Sequence, residues 1–221
     1  MTNPLKHNYF VRRASCVVAL AAALSCGGKK SDQKPTPEPT APLPIAGIAG
    51  QRVALTPLAL VAAEDTLHWD TLVADRRNTL DKCDSIITTL LIARAPEVTW
   101  VGPGELRHIA RRAPGIAADP DQMGTPFLRA TNVIDVPDPL RYQLRTLMGL
   151  VGGRYVLVPA GLVFRRPAGR SESPMATAEL AVVMIDSRLG KVGWRTTARG
   201  EGPDPWTALT RAVKNLTPGV P

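Results

Sequence analysis

"LAVVMIDSRLGKVGWRTTARG", residues 180–200, decides the fold. An apolar run rich in Val and Ile meets the cluster Asp186-Ser187-Arg188-Leu189-Gly190, and a second run follows it. Val- and Ile-rich runs bounded by Asp, Ser and Gly read as two strands joined by a tight turn. In the second run Val192, Trp194, Thr196 and Ala198 alternate with Lys191, Arg195, Thr197 and Arg199. Such a period of two buries one face of the strand and leaves the other to solvent. Upstream, "RYVLVPAGLVF" (154–164) is a third run of the same kind, and the polar connection from Arg165 to Pro174 links it to the pair.

Helical patterns flank this meander. Val73, Leu80, Cys83, Ile87, Leu90 and Leu91 recur at three- and four-residue steps, which predicts one long helix over residues 70–94. Cys83 falls inside its apolar stripe, as a small buried hydrophobe, with Asp84 on the polar side. "QRVALTPL" (51–58) and "VTWV" (98–101) are strand-like. Gly102-Pro103 opens a helix through "ELRHIARR" (105–112), which Pro114-Gly115 stops. Residues 114–137 carry four prolines and no strong period, which predicts a loop with a short helix around Pro126 to Ala130. Asp138-Pro139 supplies an N-cap with Pro at the first helical position, ahead of the stripe Leu140, Leu144, Leu147, Met148 and Val151. Gly152-Gly153 end that helix. Asp204-Pro205 repeats the device before Trp206, Leu209, Val213 and Leu216. The predicted order is β-α-β-α-α-β-β-β-α over residues 46–221. That is an α/β (α+β) domain, a single mixed sheet with packed helices.

Three stretches of this domain carry a family resemblance: "VTWVGPGEL", "LRTLMGLVGGRYVLVPAGLV" and "LAVVMIDSRLGKVGWRTTARG". Together they resemble the α/β module shared by the TolB amino-terminal domain, the curli-secretion lipoprotein CsgG and the penicillin-binding-protein activator LpoB. Leu189 departs from the Thr usual in the family's Asp-centred turn. The resemblance implies scaffolding, assembly or activation in the cell envelope through protein contacts, without catalysis. CsgG-type pores need long amphipathic membrane hairpins, and neither the 165–174 connection nor any other loop supplies one.

The amino terminus has another logic. Residues 1–13 are polar and basic, and "ASCVVALAAALS" (14–25) is an apolar run of about a dozen residues, too short to span a bilayer. A basic segment, a short apolar run and small residues before a break predict a secretory signal over residues 1–25. "ALSC" (23–26) resembles the lipobox of bacterial lipoproteins, with Ala23 where Leu is preferred. The resemblance implies cleavage before Cys26 and acylation of that cysteine. Arg12-Arg13 lacks the bulky apolar residues that follow in a twin-arginine signal. With Cys16 removed and Cys26 acylated, Cys83 is alone and no internal disulfide can form. Several acyl chains hold a protein on a bilayer where one does not. Residues 26–45 form the linker: Pro35, Pro37, Pro39, Pro42 and Pro44 favour polyproline II. At ~3.1 Å per residue, Gly27 to Pro44 reaches at most about 55 Å, which is short for deep passage into the cell wall.

The net charge is +8, and Lys6, Arg12 and Arg13 lie before Cys26 with no acid among them. The remaining excess suits an anionic envelope component or an acidic partner. Arg111, Arg112, Arg165, Arg166 and Arg170 are the candidate contact surface. No basic run with interleaved aromatics points to nucleic acid. His68 with Asp70, and Glu105 with His108 at i, i+3, are the candidates for a metal-dependent hydrolase. A lone Glu-x-x-His lacks the second copy and further carboxylates of di-iron bundles. No nucleophile elbow or phosphate loop occurs. A solute-binding lipoprotein would want two lobes, and one domain is predicted. The sequence therefore reads as a non-enzymatic, cofactor-free lipoprotein. It is anchored through Cys26 on the periplasmic face of the outer membrane and binds another envelope component.

Overall fold

The computed structural model describes residues 39–167 and 175–218, and the side chains of Asp70 and Leu72 are not among those described. Cys26, the signal segment and Arg170 thus lie outside the described residues. In chain order the elements are α1 (Ile45–Ile48), β1 (Arg52–Leu55), β2 (Val61–Ala63), α2 (Asp70–Val73), α3 (Arg76–Arg94), β3 (Thr99–Val101) and α4 (Pro103–Arg112). After two 3-10 turns, Pro120–Gln122 and Thr125–Arg129, come α5 (Leu140–Val151), β4 (Tyr155–Arg165), β5 (Ala176–Asp186), β6 (Lys191–Gly202) and α6 (Pro205–Leu216). The single mixed sheet runs β3-β1-β4-β5-β6, with β2 also on β4.

The predicted meander is present as the antiparallel ladders β4–β5 and β5–β6. Its turn closes because Asp186 Oδ1 accepts the N–H groups of Arg188 and Leu189, while Gly190 takes φ 67°. Parallel pairing adds β1 to one end of β4 and β2 to the other. Between them Pro57 has no N–H to give, and the Leu58 N–H donates to Asp84 Oδ1 at 2.8 Å instead of joining a ladder. The register of β4 shifts between Pro159 and Gly161, the kind of irregularity that lets a proline sit in a central strand.

Helices cover both faces. Ile87, Leu91, Leu209 and Val213 pack with Val53, Leu157, Leu162 and Leu180 in one core. Leu106, Leu128, Leu144 and Leu147 pack with Ala54, Val156, Val158 and Val183 in the other. Met123, Leu128, Val133 and Val136 are buried there too, so the 114–137 stretch is a packed layer, and its 3-10 turn Thr125–Arg129 lies where a short helix is expected.

Several local expectations need correction. The 70–94 helix is two: Asp75 caps α3, accepting the Asn78 N–H at 3.1 Å, and so separates it from α2. Asp84 is on the buried side, 5% exposed, because the Leu58 N–H and an arginine meet it there. Asp138 caps nothing, since α5 begins at Leu140, and its carboxylate accepts from Arg141 at 2.9 Å. The β5–β6 register shifts between Met184 and Ile185, which face Trp194 and Val192. Gly193 is the extra residue, and Val192 falls in the second core while Trp194 packs on the first. Asp204 behaves as expected, accepting the N–H groups of Trp206 and Thr207 at 3.0 Å.

The folded part also takes in residues assigned to the linker. Thr40 Oγ1 donates to the Thr197 carbonyl, the Ala41 N–H donates to Thr196 Oγ1, and the Leu43 N–H donates to the Leu216 carbonyl at 2.7 Å. Leu43 itself is in the first core. An isolated leucine among prolines gains more from that burial than from water.

Candidate functional site

Two surfaces gather charged side chains. The first lies at the carboxyl ends of the parallel strands β1 and β3, the side on which open α/β sheets place their ligands. Gly102-Pro103 starts α4 directly after β3, and the first turns of α4 and the facing side of α3 leave a hollow of about 580 Å³. Arg107 on α4 stands in it. Its Nε and Nη2 donate to the Asp121 carboxylate at 2.9 and 2.7 Å, and its Nη2 donates to Asp84 Oδ2 at 3.0 Å. Asp81 lies 3.5 Å away.

Burial pushes the Asp84 carboxyl up to about 6, while the Leu58 N–H and the Arg107 charge pull the other way. The Arg107 hydrogen bonds hold Asp121 below the ordinary carboxylate range. The guanidinium is held firmly protonated by the same partners. Three carboxylates around one cation leave no surplus positive charge for an anion. Chemically the cluster is a cross-link that ties α3, α4 and the 119–122 turn together.

The second surface is the open end of the sheet face on the α5 side. The pairs Val183–Arg195, Ala181–Thr197 and Glu179–Arg199 align these residues on one face. Gly161, paired with Ala181, has no side chain, and the Arg129 methylenes occupy the space: a Cβ there would lie 2.6 Å from Arg129 Cδ. A groove of about 190 Å³ results, lined by Arg129, Arg195, Arg199, Thr131 and Thr197 together with Pro39 and Ala41. Arg195 donates to the carbonyls of Ala130 and Val133, both neutral. Arg199 donates to Glu179 at 3.3 Å.

Of the arginines singled out in the sequence, Arg170 lies outside the described residues and the other four are placed as follows. Arg165 bridges Glu64 at 3.3 Å and Glu179 at 3.0 Å. The Arg166 N–H donates to Glu64 at 2.9 Å and its guanidinium to the Thr66 carbonyl. Arg111 and Arg112 are exposed in the last turn of α4. Arg195 and Arg199 were visible as the solvent side of the alternating strand. Arg129 carried no local signal, because its place depends on Gly161 in a distant strand. His68 is exposed, between Leu67 and Trp69 of the first core, whereas Glu105 and His108 are exposed on α4, which packs on the second. These candidates are not brought together. Among the described residues no three His, Cys, Asp or Glu side chains gather as a metal-binding group. Cys83 is fully buried, and burial pushes its thiol up to about 12.

No family model matches the chain, and no curated protein matches it. Among solved structures it is similar to the LpoB C-terminal domain from Salmonella enterica, at TM-score 0.34 and 14% identity over 68% of this chain and 82% of that one. It is similar to lipoprotein GNA1162 from Neisseria meningitidis, at TM-score 0.34 and 14% identity over 69% and 81%. It is also similar to a leucine-to-methionine variant of the PelC dodecamer from Paraburkholderia phytofirmans, at TM-score 0.36 and 12% identity over 81% and 96%. The resemblance read in the sequence thus meets LpoB again among structures. At such TM-scores these likenesses do not carry the role of any of those proteins over to this chain.

Proposed function

We propose that this chain is a lipid-anchored protein of the bacterial cell envelope whose α/β domain works as a non-enzymatic binding, assembly or activator module. The observation that carries the reading is the position of Cys26. It stands directly behind a short apolar run and ahead of a proline-rich stretch, and that stretch ends where Thr40 to Leu43 join the fold. No helix among the described residues is long and apolar enough to cross a membrane. Attachment is assigned to acyl chains on Cys26, of which two or more suffice for stable anchoring. The residues from Gly27 to Pro39 reach at most about 40 Å at ~3.1 Å per residue, so the domain works near the leaflet that holds it. The periplasmic face of the outer membrane is the assigned leaflet.

The test is processing and partner capture. In cells fed labelled palmitate, the chain takes up label and floats with membranes; globomycin leaves an unprocessed form, and Cys26→Ala leaves an unlabelled, unprocessed or soluble one. Unchanged fractionation of Cys26→Ala refutes the anchor. Crosslinking in intact cells then recovers an envelope protein in a complex that depends on the folded domain.

A further inference from the structure

We infer that the groove walled by Arg129, Arg195 and Arg199 is the face this domain turns toward its own membrane. The occupant is the phosphate of anionic lipid headgroups in the leaflet that holds Cys26. The inference rests on the lipid anchor proposed above and adds an orientation to it.

Two observations carry it. The first is where the anchored chain meets the fold. Pro39 and Ala41 line this groove, and Thr40 and Ala41 are fastened to Thr197 and Thr196 of β6. The stretch that leads back to Cys26 therefore leaves the domain beside these arginines, with a reach of at most about 40 Å. The membrane nearest to the groove is the one to which the chain is attached.

The second is charge. The lining of the groove contains three arginines and neither Asp nor Glu. Arg199 is paired with Glu179 at 3.3 Å, so the charge offered to a phosphate is that of Arg129 and Arg195. Arg195 spends its amino groups on two neutral carbonyls, which orients its charge without cancelling it. Arg129 lies across Gly161 and is 3.2 Å at Nε from the position a Cβ would take there. It has no carboxylate partner among the described residues. Guanidinium groups bind phosphate through paired N–H donors, and the Thr131 and Thr197 side chains stand beside them. The volume suits a headgroup phosphate and not a folded ligand. A tether also raises the local concentration of the surface, so contacts too weak to recruit a free domain suffice to orient an anchored one. An acidic segment of a partner protein would share the charge but not the position at the root of the tether.

The processed, lipidated chain is reconstituted in vesicles of phosphatidylcholine, with and without phosphatidylglycerol, and amide hydrogen exchange is followed at residues 129–133 and 195–199. Exchange there slows several-fold on phosphatidylglycerol vesicles alone, and high salt reverses the protection. Arg129→Glu abolishes it, Arg129→Lys retains most of it, and the paired control Arg111→Glu with Arg112→Glu leaves it in place. Each arginine removed from such a surface lowers association about fivefold. Equal exchange on both vesicles overturns the inference. So does an equal loss in the α4 control, which would make the effect one of net charge. Protection by an acidic peptide with none from phosphatidylglycerol assigns the groove to a protein and overturns it as well. Failure to float with phosphatidylcholine vesicles refutes the anchor itself, and the orientation falls with it.

Discussion

The Arg107 guanidinium lies 3.0 Å from the Asp84 carboxylate and 2.7 Å from that of Asp121, so one side chain on α4 holds a buried acid of α3 and a turn residue at once. The arrangement follows from Pro57. Because that residue ends the β1 ladder, the Leu58 N–H is aimed at α3, and Asp84 has to be buried to receive it. Arg107→Ala would leave Asp84, whose side chain is 6% exposed, with one N–H donor and no counter-charge. A buried carboxylate stranded in that way costs about 3–5 kcal/mol. Urea unfolding at neutral pH is expected to show that loss, with a much smaller one for Arg77→Ala, whose pair with Asp81 is exposed. Equal losses would mean that the cross-link does not bind the elements together.

The same acid sets a pH dependence. With the Asp84 carboxyl at about 6 in the fold and about 4 in the unfolded chain, the folded state holds a proton that the unfolded state has released. The stability contributed by this group is complete below about pH 4 and is lost as pH rises through about 6, by roughly 3 kcal/mol. Asp121, Asp186 and Asp204 are held low and act in the opposite sense, losing their contribution as pH falls through their lowered range. Comparing the chain with Asp84→Asn isolates the first effect. The stability of the variant relative to the parent is expected to rise between about pH 4 and about pH 7. Parallel curves would show that Asp84 ionises at an ordinary pH.

What could be read from the sequence, and what could not, divides by distance along the chain. The turn at Asp186, the cap at Asp204 and the stop at Gly152 are each closed by atoms within five residues, so local composition announces them. Pro57 was visible, but the redirection of the Leu58 N–H needs an acid 26 residues away. The three-residue strand β2 is too short to show a period and exists because β4 is there to pair with it. Gly190 reads as a turn glycine, yet it also makes room for Arg141, whose Cδ would lie 2.4 Å from a Cβ. The candidate groove was half legible in the same way. Alternation placed Arg195 and Arg199 on the solvent side of β6, while Arg129 reaches them only across Gly161.

The contact of α6 with the sheet is set by the absence of side chains on β6. A Cβ at Gly200 would lie 2.2 Å from the Ala212 nitrogen and 2.5 Å from the Ala208 carbonyl oxygen, both backbone atoms that cannot turn aside. Gly200→Ala must lift the helix from the first core, at a cost of roughly 3 kcal/mol. Gly193→Ala, with nothing within 4 Å of its Cβ, serves as the control and is expected to change stability by less than about 0.5 kcal/mol. Thermal unfolding of both variants checks this, and a Gly200→Ala protein as stable as the control would refute the close packing.

Leu43 decides how far the folded domain extends toward the amino terminus. It is 5% exposed, packs in the first core and donates its N–H to the last residue of α6. Cutting it back to Ala is expected to cost about 2–4 kcal/mol, and a chain beginning at residue 46 should lose more, since Thr40 and Ala41 also let go of β6. Both would lower the midpoint of thermal unfolding. If neither does, residues 40–45 do not contribute to the folded domain. If both do, residues 40–43 are part of the domain, fastened to the middle of β6 and to the last residue of α6.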